Sequence, residues 1–369
     1  MKRNNSIVIG ICVAIFVCIV MLIGRNRSSI SNDEIDVFCI VPVTGPGSAH
    51  GENICNAIHL YKKNNPTSKL RFEIQDSQSS PQVALSLYRQ RLLSGKPNAL
   101  ISVLSGVTQV LLSETAKEDI PLFAIHTNIQ DEFKKYANAQ KVTDNFSDVS
   151  RPLAKFALRK GLRNVAILFS NEEYGIGCKD VFVSEFSDSS HRIAFSGSYE
   201  MKDVVSRDLI YKAVGSNPDA IFVAGYGPNY IFILKTLLAN KYKGMILSDI
   251  NCSNYSVMEA LGDLTSISNL YFTGMEINTA NPTGTALEFV TQFRTMFNKN
   301  PWEGAVYMYD LCSIMEKMHA DGKELSRKSF TELHTWNGLS DPIEFPGDGT
   351  SSYAFFVIEL VNGKPVKVK

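Results

Sequence analysis

Residues Asn98–Asn128 constrain the fold most, because they compress strand, helix and strand into 31 positions. Ala99–Leu104 is a short apolar run and Ser105–Gly106 a small-residue break; a helical stretch follows from about Thr108 to Lys117, then a second apolar run at Pro121–Ile125. Continuous apolar strands of this length, joined by a helix, suit a parallel sheet buried on both faces. Ligands in open α/β sheets lie beyond the carboxyl ends of the strands. That places Ser105–Val107 and His126–Asn128 first among candidate positions.

The same alternation continues on both sides. Strands are expected at Asp36–Pro42 and Leu70–Asp76, with helices at about Glu52–Lys63 and Pro81–Ser94, the latter opened by a Ser-Pro start. A second series begins with a helix over Ser150–Lys160. Strands follow at Asn164–Phe169, Ile193–Tyr199, Asp219–Ala224, Lys243–Leu247 and Leu270–Thr273, separated by helices such as Arg207–Val214, Asn229–Ala239 and Tyr255–Leu261. Two βα series imply two doubly wound lobes. Two or three long helices are then expected, at Thr283–Phe297, Glu303–Ala320 and Ser326–Trp336, before a closing hairpin that includes Tyr353–Leu360 and the turn Val361–Lys364.

A chain of 369 residues is long enough for two such lobes, and 44% hydrophobic with 20% charged residues argues for a packed core. Formal net charge is zero and no basic face is concentrated, which argues against nucleic acid as a partner. Ser6–Gly24 is free of charge and of a length that crosses a ~30 Å hydrocarbon core. It lacks the short apolar region and small-residue cleavage site of a secretory signal, so an uncleaved signal anchor is the expectation, with 1–28 as anchor and linker. Lys2 and Arg3 favour an inside N-terminus and the bulk of the chain outside. Of seven cysteines, two lie in that segment. Cys39, Cys55, Cys178, Cys252 and Cys312 are widely spaced without C-x-x-C, so neither a zinc site nor a disulfide framework is indicated.

Motifs for chemistry are few. Gly45–Gly51 (GPGSAHG) sits between strand and helix but has the wrong spacing for a dinucleotide loop, and Pro46 and His50 crowd the approach. No H-E-x-x-H, G-x-S-x-G or Walker A sequence occurs, so no enzyme, metal or cofactor is called for. His50 and His126 each follow a strand end, in a pocket or a plain loop. Tyr174 and Tyr226 occupy equivalent Gly-containing loops of the second series, as half-buried loop residues or as aromatic walls of a cleft. Asp249 follows a strand and suits either a ligand ammonium or a helix cap.

From about Ile35 onward the chain resembles the type I periplasmic substrate-binding proteins of the branched-chain amino acid (Leu/Ile/Val-binding) class. Pro42–Pro46 (PVTGP) is similar to that family's P-x-S/T-G-P opening, and Asp76–Ala84 (DSQSSPQVA) to its D-x-x-x-x-P-x-x-A step. Ser105–Gln109 (SGVTQ) resembles its ligand loop and Glu173–Gly177 (EYGIG) its Y-G-x-G turn; Asn217–Ile221 and Ala305–Asp310 also resemble family segments. The resemblance implies a clamshell with lobe 1 at 35–147 plus 278–338 and lobe 2 at 148–277 plus 339–369. A small ligand would be gripped in the cleft between them. It implies that Ser105, Gly106 and Val107 meet an α-carboxylate, that His126, Asn128 and Asp249 meet an α-ammonium, and that Tyr174 and Tyr226 form an aromatic lid. His50 would line the side-chain pocket. Asn251 is a rival to Asp249. One serine fewer in the loop, Asn128 in place of Thr and His50 in place of an aromatic residue point away from leucine or isoleucine. The implied role is extracytoplasmic capture of an amino-acid-like solute for ABC permease and ATPase subunits. The alternative is the ligand-binding ectodomain of a sensory or chemotaxis system.

Overall fold

The computed structural model describes residues 33–200 and 204–368. The first sheet is parallel throughout, in the order β2-β1-β3-β4-β5. Its strands are β1 (Ile35–Val41), β2 (Leu70–Asp76), β3 (Ala99–Val103), β4 (Leu122–Ile125) and β5 (Ala139–Lys141). Every residue of β1 is buried. Val37, Cys39 and Val41 join one hydrophobic cluster, and Phe38 and Ile40 the cluster on the opposite face. Burial on both faces is why this strand reads as an unbroken apolar run.

The second sheet adds β6 (Asn164–Ser170), β7 (Arg192–Tyr199), β8 (Ala220–Ala224), β9 (Met245–Ser248) and β10 (Leu270–Gly274), paired in parallel as β10-β9-β8-β6-β7. A small antiparallel sheet follows, made of β11 (Thr335–Asn337), β12 (Pro342–Glu344) and β13 (Ser352–Tyr353). The closing hairpin, β14 (Phe356–Val361) and β15 (Lys364–Lys367), extends the second sheet beside β10.

In each large sheet the first strand of the series (β1 or β6) lies between the second and third. Order therefore reverses between β1 and β3 and again between β6 and β8, and loops leaving these strands diverge to leave a crevice. The chain passes between sheets after β5, after β10 and after β13. Helices Gly284–Phe297 and Glu303–Ala320 return to the first sheet, where Phe289, Phe293, Tyr307 and Leu311 join its core.

Several expected boundaries move. The helix expected from Glu52 begins at Ser48, so Gly51 lies inside it, where a Cβ would stand 2.1 Å from the Pro42 carbonyl oxygen. The helix expected from Ser150 begins at Phe146, opened by reciprocal capping between Asn145 and Asp148, and carries Pro152 within it. The helix expected over Ser326–Trp336 is Arg327–Leu333; His334, at φ 54°, turns the chain into β11. The expected strand Tyr353–Leu360 divides at Ala354–Phe355 between two sheets. Ile343, Phe345 and Tyr353 pack in the core of the first sheet, so the third passage falls after Tyr353, not at the 338/339 boundary drawn from the sequence.

Among the described residues no helix is long and apolar enough to cross a membrane. Ser6–Gly24 lies outside those residues. The five described cysteines are free thiols, four of them buried.

Candidate functional site

Loops from both switch points border one cavity of about 460 Å³. Pro46 and Gly47 follow β1, Leu104–Val107 follow β3, Glu172–Tyr174 follow β6 and Tyr226 follows β8. His126 and Asn128 after β4, and Ile250 and Asn251 after β9, complete the two facing rims.

The β3 rim is built by strain. Leu104 takes φ 79°, a region costly for a branched L-residue, and turns the chain at once into helix Ser105–Lys117. The first intrahelical bond runs from Thr108 N–H to the Leu104 carbonyl at 2.9 Å, so the N–H groups of Ser105, Gly106 and Val107 precede it at the cavity. No side chain caps this terminus. Ser105 Oγ accepts the Asn128 N–H at 3.0 Å, which joins the β3 and β4 rims and leaves the serine hydroxyl proton to donate elsewhere. His126 sits at φ 51°, the second non-glycine left-handed residue at a strand end of this sheet.

The passage after β5 also reaches the cavity, through Thr143 and Asp144. The Tyr307 hydroxyl donates to Asp144 Oδ1 at 2.8 Å, and the Asp144 carboxylate borders the cavity. Buried Lys141 donates from Nζ to the Asp144 carbonyl (2.7 Å) and to Asn145 Oδ1 (2.8 Å), fixing this turn; burial lowers its ammonium pKa to about 8.

In the facing wall Glu172 caps helix Glu173–Phe186, accepting from Tyr174 N–H and Gly175 N–H at 3.1 Å each and from the Ser170 hydroxyl at 2.7 Å. Tyr174 and Tyr226 meet edge to face, with centroids 6.1 Å apart. Tyr174 is buried, whereas Tyr226 is 41% exposed. Burial, with the Glu172 charge beside it, raises the Glu173 carboxyl pKa.

His50, His126 and Trp302 cluster at the cavity. Burial drives the His126 pKa down to about 4 and that of His50 well below its usual value, so both rings are neutral at pH 7. Glu303 follows Trp302 at the N-terminus of its helix and is almost wholly buried. Its Oε1 accepts from the Ser253 hydroxyl at 2.7 Å and from Asn278 Nδ2 at 3.1 Å. Ser253 follows β9 of the second sheet, so this carboxyl joins the two halves of the chain. Burial lifts its pKa to about 8.

Of the positions singled out from the sequence, the structure brings His50, Ser105, Gly106, Val107, His126, Asn128, Tyr174 and Tyr226 to the cavity. Asp249 is not among its lining residues. It is fully buried behind the wall and accepts from Gly225 N–H at 2.7 Å and Asn251 N–H at 3.0 Å, holding two loops together, while its neighbour Asn251 lines the cavity. Asp144, Glu173, Trp302 and Glu303 were not singled out. For the last two a signal existed, since Pro301 and Trp302 immediately precede a long apolar helix.

Four lining residues (Asp144, Glu172, Glu173 and Glu303) carry carboxyl groups and none is Lys or Arg. Among the described residues no cluster of three or more metal-ligating side chains occurs.

A family model described as periplasmic binding protein matches residues 34–363. The chain belongs to this family. Its members are non-enzymatic ligand-binding proteins that work outside the cytoplasm. No protein among the curated sequences matches the chain. Solved structures of similar fold include an ABC-transporter solute-binding protein from Rhodopseudomonas palustris BisB5 in complex with 3,4-dihydroxybenzoic acid. It is 18% identical, with a TM-score of 0.79 and coverage of 91% of this chain and 96% of that one. The branched-chain amino acid transporter substrate-binding protein LivJ from Streptococcus pneumoniae, in complex with isoleucine, is 17% identical, with a TM-score of 0.78 over 91% of this chain and 100% of that one. The leucine-binding protein LivK from Thermotoga maritima is 19% identical, with a TM-score of 0.76 over 91% and 98%. At such identities the likeness speaks to the fold.

Proposed function

We propose that the cleft captures an amino acid, or a small metabolite with the same zwitterionic head, for an ABC-type importer. The observation that carries this reading is the pairing of an uncapped helix N-terminus with carboxylates in one cavity that no Lys or Arg lines. A ligand carboxylate is accommodated at the N–H groups of Ser105, Gly106 and Val107, where the helix dipole favours negative charge and the Ser105 hydroxyl donates. The ligand ammonium then lies towards Asp144, with Glu172 and Glu173 adding negative potential. Asp249 takes no part, because both its oxygens are already engaged. Tyr174 and Tyr226 cover the ligand from the facing lobe.

A carboxylic acid without an ammonium group would satisfy only the helix end and would face the acids uncompensated. This is why a zwitterion is favoured over a benzoate-like ligand. The Glu303–Ser253 contact supports the view that the lobes close about the passages after β5, β10 and β13. Ser6–Gly24 would tether the binding lobes at the outer face of the membrane, next to the permease and ATPase subunits.

The test is a thermal-shift screen of the purified protein against amino acids and small carboxylates. A ligand at 100 times its dissociation constant adds about 2.7 kcal/mol. An amino-acid hit that weakens in Asp144→Asn and Ser105→Ala supports the assignment; a hit indifferent to both moves the site elsewhere.

A further inference from the structure

Two neutral imidazoles and an indole form a box of three rings at the cleft. Ring centroids lie 4.4 Å apart for His50–His126, 4.7 Å for His50–Trp302 and 5.4 Å for His126–Trp302. All three rings line the cavity. The box is tight: Gly304 is the only residue type that fits behind it, since a Cβ there would stand 2.2 Å from His126 Nε2. It is also polar and unsatisfied. His50 Nδ1, His126 Nε2 and Trp302 Nε1 are buried without a hydrogen-bond partner.

These properties discriminate among side chains. A branched aliphatic group packed here would leave the polar atoms of the rings without a hydrogen bond. A charged side chain would be desolvated against imidazoles that burial holds neutral. A planar ring offers faces for edge-on contact with imidazole and indole, and a polar ring atom can pair with an imidazole nitrogen.

We propose that His50, His126 and Trp302 select a ligand whose side chain is an uncharged planar ring with a hydrogen-bonding atom, a phenol or an indole, over the branched aliphatic side chains. This rests on the reading of the cleft as an amino-acid site, and it assigns the two histidines as specificity determinants.

The experiment is calorimetry of the full chain at pH 7 with tyrosine, tryptophan, leucine, isoleucine and the deaminated analogue of tyrosine. Tyrosine or tryptophan is expected to bind at least about tenfold more tightly than leucine or isoleucine. His50→Leu, which keeps bulk on a helix but removes the ring, should narrow that ratio; its melting curve reports whether the variant is folded, and the wild-type ratio stands without it. Leucine or isoleucine binding as tightly as the aromatic amino acids would overturn ring selection and leave the amino-acid reading intact. Equal binding of tyrosine and its deaminated analogue, both above leucine, would keep ring selection and remove the zwitterion. No binding of any of the five by folded, unliganded protein would overturn both.

Discussion

Glu303 offers a prediction whose size can be worked from its surroundings. Its carboxyl is buried at 2% exposure, with Oε1 accepting from Ser253 and Asn278. Burial is the first cause of its raised pKa, from 4.5 to about 8. Between those limits the folded protein holds a proton that the unfolded chain has released. Stability therefore falls as pH rises through this window, and the loss is complete above about 8. At about 1.4 kcal/mol per pH unit the penalty reaches at most about 5 kcal/mol. Glu303→Gln keeps an acceptor for both donors and cannot ionise. Relative to wild type it should gain stability steadily from pH 5 to 8.5, by several kcal/mol in total. Other buried acids, such as Asp249 and Asp310, are common to both proteins, so the difference between their urea midpoints isolates residue 303. Glu303→Ala, by contrast, leaves Asn278 Nδ2 without this acceptor, while the Ser253 hydroxyl turns to the Ile250 carbonyl, and should cost ~1–3 kcal/mol at pH 5. A wild-type-to-Gln difference that stays flat across the pH range would refute the reasoning, because Glu303 would then ionise in the folded protein as freely as in water.

Further outcomes follow from single contacts. Gly51→Ala gains about 1 kcal/mol of helix propensity, but its Cβ would stand 2.1 Å from the Pro42 carbonyl oxygen. A net loss of ~1–3 kcal/mol by denaturant unfolding is expected. Asp249→Ala strands the N–H groups of Gly225 and Asn251 and should lower stability by ~2–4 kcal/mol, with less than about a tenfold change in ligand affinity of the folded protein. A larger loss of affinity than of stability would return Asp249 to the ligand. Tyr226→Ala, at a residue 41% exposed, should leave the melting temperature nearly unchanged while calorimetry records an affinity loss of about tenfold.

The two βα series were legible because strands such as β1 and β8 are buried on both faces and so read as unbroken apolar runs. β5 was not legible: its sequence is Ala-Gln-Lys, yet all three residues are buried. Gln140 is buried with its amide donating to the Lys141 and Thr350 carbonyls, and Lys141 with its ammonium on the Asp144 carbonyl and Asn145; the Thr350 bond is a tertiary contact that composition cannot carry. The sheet β11-β12-β13 was hidden for a related reason, since its strands are only two or three residues long. At the cleft, strand ends located Ser105 and His126, because rims of a switch point follow from topology. Asp144 and Glu303 escaped notice because they come from a passage between lobes and from a distant helix, which only the folded chain brings to the same cavity. Asp249 had the right place after a strand, and the N–H groups of its own and a neighbouring loop claim it.

The most direct measurement compares one α-amino acid with its deaminated and decarboxylated analogues by calorimetry, on wild type and on Asp144→Asn. If the cleft is a zwitterion site, wild type should bind the amino acid at least about tenfold more tightly than either analogue. Asp144→Asn should lose the preference over the deaminated form alone. An acid lacking the ammonium group that binds wild type as tightly as the amino acid would contradict the assignment of the cleft.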